Sequence, residues 1–181
     1  MATHRRAERT PALSTLVGDE HRAVLSTLLE AHPELRPEAE HAARDLLESA
    51  TSEAVADEVR WAVEAIPVDH LATRSGRVPG RGYVHENEAA WELVSQAVEP
   101  FLVDLRRRAR LGFTEAAIAI TTGIVAGIYD ARDPADGTVI SYAGPDAPVE
   151  LAIEVLAEAA NLGLHLTADS GDRWPDWSTL G

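Results

Sequence analysis

The chain contains no cysteine, which excludes disulfides, thiolate metal sites and a catalytic thiol. It contains no lysine either: all 16 basic residues are arginine, a bias expected from a GC-rich genome. Long apolar runs are missing too. A membrane-spanning helix takes roughly 20 apolar residues, and the uncharged run 116–129 falls short of that and is closed by Glu115 and Asp130. The basic start, residues 1–6, leads into no continuous apolar segment and no clear cleavage site. The sequence is therefore read as cytoplasmic, with no membrane contact. Serine-nucleophile motifs, His-Glu-x-x-His and the dinucleotide-binding glycine fingerprint are all absent.

What remains is a chain of 181 residues, 45% hydrophobic, long enough to bury a core of its own. The net charge of −14 repels phosphate backbones, so nucleic acid is not the expected ligand.

Apolar spacing near 3.6 residues recurs along most of the sequence. Leu13, Leu16, Val17, Val24, Leu25, Leu28 and Leu29 mark a first helix, with Asp19 as its expected N-cap and His32-Pro33 as its stop. Pro37 suits the first turn of a second helix through Leu46 and Leu47. The two are read as a helical hairpin. Thr51-Ser52 supplies the cap of a third helix carrying Val55, Val59, Val63 and Ile66, which Pro67 ends.

Residues 74–83 hold three glycines, one proline and no acid, and read as irregular. Beyond them a helix over 88–96 meets Pro100, which is expected to kink or restart it before Gly112 ends it. Thr114 is the expected cap of the next helix. Its uncharged run 116–129 should be buried on most of its circumference. Gly123 and Gly127 stand four apart on it, so that a second helix can approach closely. Residues 138–142 read as a short extended segment, and Pro148 opens a last helix reaching Gly163.

The expected fold is all-α: helical hairpins stacked as a compact bundle or a short α-solenoid. The expected organisation is a flexible basic arm (1–10), a helical domain (11–168) and a tryptophan-containing tail (169–181). Within the domain, halves 11–73 and 83–168 are joined by the Gly/Arg-rich loop.

The order of a helix, the turn Arg-Leu-Gly-Phe-Thr-Glu-Ala-Ala at 110–117, a second helix and Asp-Pro-Ala-Asp-Gly at 133–137 resembles helical-repeat proteins of GC-rich bacteria. These include the helical region attached to some SWIM zinc-finger proteins. The resemblance covers about a third of the chain and implies helical-hairpin architecture. It carries over no functional residue, and the zinc finger itself needs cysteines that this chain lacks.

Four groups of residues could carry chemistry. Glu38-x-x-His41 has the spacing used by carboxylate-bridged metal bundles, and His85 and Glu88 are further metal candidates flanking the central loop; the plainer reading is of helix-entry and surface groups. Arg74, Arg77 and Arg81 could contact an anion, or simply pair with the chain's many carboxylates. Arg106, Arg107, Arg108 and Arg110 form a basic cluster at a helix end, opposed by the eleven acids and two arginines after Leu111; internal pairing is the simplest consequence. Trp174 and Trp177 in the tail could contact a partner or pack on their own domain.

The reading adopted is a non-catalytic helical protein-interaction module with a protein partner and no cofactor, homo-oligomerisation being left open. The alternatives are a small metal-dependent enzyme using His and carboxylate ligands, and an accessory regulator contacting nucleic acid or nucleotide through arginines.

Overall fold

The structure is a computed structural model that describes residues 12–132 and 137–166. The expected basic arm 1–10 and the tail residues Trp174 and Trp177 lie outside the described residues. The chain divides into two compact units, residues 1–45 and 46–181. The division falls within a helix.

In the first unit a 3-10 turn, Ala12–Thr15, precedes α1, Gly18–Ala31. Val17 is the N-cap of α1 in place of the expected Asp19; its N–H donates to the Glu20 carboxylate at 2.9 Å. Asp19 and Glu20 both lie in the first turn, where negative charge complements the helix dipole. After His32 a second 3-10 turn, Pro33–Leu35, leads to α2, Arg36–Glu48. α1 packs on this turn more than on α2, so the side-by-side hairpin pairing is little developed. No described residue from 12 to 45 is buried.

The second unit holds the core. α3, Ser52–Glu64, begins where the Thr51 hydroxyl accepts from the Ala54 N–H at 3.3 Å. It is followed by α4, Val68–Arg74, and by two short strands, β1, Gly76–Val78, and β2, Gly82–Val84. The strands pair antiparallel with Arg77 opposite Tyr83, so the expectation of an irregular loop is corrected. Gly80 and Gly82 sit at φ of 80° and 86°, a region open to glycine at little cost. These residues reverse the chain tightly after Pro79 and bring the flanks into register. The hairpin is fastened by its inner face, where Val84 is buried and Val78 packs on the core.

α5, Glu86–Arg110, is one helix of 25 residues with Pro100 inside it, so the helix does not restart there. Pro100 and Gln96 are both exposed, so the carbonyl that loses its donor four residues back lies on the solvent side. Gly112, at φ 84°, ends the helix. α6, Thr114–Asp130, then crosses the interior, with Phe113 as N-cap and Thr114 its first residue. Every residue from Ile120 to Ile128 is buried. The two polar ones, Thr121 and Thr122, donate to the carbonyls of Ala117 and Ile118 at 2.9 and 3.0 Å, which removes the penalty of burying a hydroxyl.

α6 packs most extensively on α3, then on α8 and α5. α7, Val139–Ala143, is helical where an extended segment was expected, and α8, Ala147–Asn161, follows. Thr138-Val-Ile is β-branched and favours a strand locally, but Val139 and Ile140 are buried and α7 packs on α5. Burial of one face outweighs the weak local preference. Among the described residues, eight α-helices and one two-stranded hairpin form an all-α architecture, and no helix is long and apolar enough to cross a membrane.

Candidate interaction surfaces

Of the three arginines at 74–81, two are engaged. α5 presents Glu88, Glu92 and Gln96 one turn apart, and this line receives two of them. Arg81 makes a two-pronged pair with the Glu92 carboxylate, one arm at 2.9 Å, and lies 3.8 Å from Glu88. Arg74 donates to Gln96 Oε1 at 2.7 Å. The bond from Arg81 holds the Glu92 carboxyl below its usual range, and the same pair raises Arg81. An isolated two-stranded hairpin is marginal in water; here the bridges to α5 hold it against the helical body. Of the three candidate anion contacts, Arg77 alone has no such partner among the described residues.

Arg77 shares the hairpin's outer face with Tyr83 and His85. Tyr83 is exposed, and its ring meets that of His85 edge-on, with centroids 5.1 Å apart and planes at 74°. His85 is also the N-cap residue of α5, making no side-chain cap bond.

The metal candidates are not brought together. His41 Nε2 lies 3.4 Å from the Asp45 carboxylate, four residues on, so the partner of His41 is Asp45 and not Glu38. Glu88 faces Arg81 and His85 faces Tyr83. Among the described residues there is no group of three or more His, Cys, Asp or Glu placed to hold a metal ion.

The basic cluster at the end of α5 is largely consumed by internal pairs. Arg106 joins Glu99 on its own helix and Glu158 on α8, both at 2.8 Å, and these bonds, Glu158 first, raise its pKa. Arg107 and Arg108 both bond Asp104, at 2.6 and 2.9 Å. Arg108 also donates to the Leu47 carbonyl in the last turn of α2, where a cation satisfies an orphan helix acceptor. Arg110 remains exposed at the helix end.

Large apolar side chains, by contrast, stand free. Trp61 on α3 is 72% exposed and Ile153 on α8 is 59% exposed. On α8 the spacing of Val149, Ile153, Ala157 and Ala160 is itself the sequence signal of a second, outward apolar side. Comparison with protein-family models, with curated proteins and with solved structures finds no match. The resemblance carried by 110–117 and 133–137 therefore rests on its turn and alanine positions alone.

Proposed function

We propose that this chain is a non-catalytic helical protein-interaction module acting on a protein partner in the cytoplasm. The observation that supports this reading is the exposure of Trp61 on a helix whose opposite side is locked into the core. Ala56, Val59 and Val63 of α3 are buried against α6, so Trp61 is held outward on a rigid support. A tryptophan presented in this way costs solvation when it has no partner and is among the strongest anchors when it has one. Of the charged groups that would favour an anion-binding or metal-dependent role, Arg81 is drawn to Glu92 and Glu88, and His41 to Asp45.

The test is to replace Trp61 with a photo-crosslinking phenylalanine analogue in the producing cell. The expected result is one discrete adduct with another protein. A protein that yields no adduct there, or only diffuse labelling, is not a module that works through this face.

A further inference from the structure

α8 has two apolar sides, and the core uses one. Leu151, Ala152, Val155 and Ala159 are buried. At about 100° per residue, Val149, Ile153, Ala157 and Ala160 form a second line on the outer side of the helix, half-buried at Val149 and otherwise exposed. Glu150 and Glu154 run beside this line, one turn apart, exposed and with no ion-pair partner among the described residues. Behind Glu154 a groove of about 260 Å³ between α5 and α8 is lined by the carboxylates of Glu99, Glu154 and Glu158 around the single guanidinium of Arg106. The outer surface of α8 is thus an apolar strip bordered by negative charge.

We propose that this surface docks a basic amphipathic helix of a partner protein, its apolar face on Ile153 and its cations on Glu150 and Glu154. The proposal rests on the reading of the chain as an interaction module and names the partner's chemistry. Charge decides between occupants. A second copy of this chain, at −14, is repelled by this border on balance, and three arginines of its basic cluster, Arg106, Arg107 and Arg108, are already paired. The chain's own residues 167–181 carry three aspartates and one arginine, so Glu150 and Glu154 repel them on balance. A helix with lysines or arginines flanking an apolar face satisfies both the strip and its border.

The experiment uses the full chain and a fluorescent helical peptide of leucine and lysine, with a scrambled peptide of the same composition as control, read by anisotropy. The amphipathic peptide should bind about tenfold more tightly than the scrambled one. Ile153→Ser, and separately Glu150→Arg with Glu154→Arg, should each abolish that difference. The variant Glu38→Arg with Glu40→Arg, equal in charge change but on α2, should keep it. Equal losses from both charge pairs would reduce the effect to bulk attraction and overturn the proposal. Binding that emerges only after removal of residues 167–181, or a native dimer dissolved by Ile153→Ser, would overturn it in favour of the tail or a second copy. An intact cross-link from position 61 without any peptide binding would sink the α8 site and leave the module reading standing.

Discussion

A Cβ added to Gly127 would stand 2.6 Å from the carbonyl oxygen of Ala56 and 2.7 Å from the Cβ of Val59. The same holds one turn earlier, where a Cβ on Gly123 would meet the Ser52 carbonyl at 2.7 Å and the Val55 Cβ at 2.6 Å. Two glycines on α6 therefore set how closely α3 approaches, through obstacles that are backbone and Cβ atoms and cannot rotate away. Replacing a helical glycine by alanine ordinarily gains about 1 kcal/mol of propensity. Here Gly123→Ala and Gly127→Ala should instead lose stability, by about 1–3 kcal/mol from overpacking. Trimming Val59 to alanine should fail to rescue Gly127→Ala, because the Cβ and the carbonyl remain. Chemical denaturation of the three variants checks this; a stabilised Gly127→Ala would show that α3 and α6 are not in this contact.

Ile124 lies at the centre of the core with no exposed surface. An aspartate there would be a buried charge without a partner, a loss of several kcal/mol. Ile124→Asp should abolish the cooperative thermal transition. Near-normal melting would mean that α6 is not the central helix.

The Arg81–Glu92 pair makes hairpin attachment sensitive to acid. Glu92 is depressed in the folded chain by its bond to Arg81, so its contribution is full above the unfolded carboxylate value, about pH 4.3. It is lost as pH falls through the lower folded value. Protection factors for amide exchange across 76–84, corrected for the intrinsic rate at each pH, should fall below about pH 4 in the wild type. In Glu92→Gln protection should already be lower at neutral pH and respond less to acid. Identical pH profiles for the two proteins would show that the bridge does not hold the hairpin.

Arg108 bonds both Asp104 and the Leu47 carbonyl while only 13% of its side chain is exposed. Arg108→Met keeps much of the packing volume and removes the donors, so it should cost about 1–2 kcal/mol. The loss should be accompanied by faster amide exchange in the last turn of α2. Unchanged exchange over 46–48 would remove Arg108 from the capping of that helix.

Residues 12–45 form helices without a buried residue, and helices of this length are marginal alone. Among the described residues, trypsin should therefore cut first after Arg22 and Arg44, leaving a fragment that begins at Asp45. Arg36 precedes Pro37, so no cut is expected there. Cleavage after Arg77, with the first unit intact, would reverse this order of local stability.

The sequence by itself determined most of the helices and the burial of α6. The uncharged run 116–129 could be buried only in a helix with an apolar surround, and Gly123 and Gly127 announced a close neighbour because their spacing places them on one side. Those signals are local, read from periodicity within a turn or two. The tertiary structure decided what the ends of long side chains do. Arg81 reaches a carboxylate 11 residues away and Arg106 one 52 residues away, partners that no local pattern specifies. It also decided the conformation of 139–143, where burial against α5 overrides β-branched preference. The hairpin at 76–84 needed both: glycines that permit the reversal, and a helix carrying Glu92 at the distance where Arg81 can fasten it.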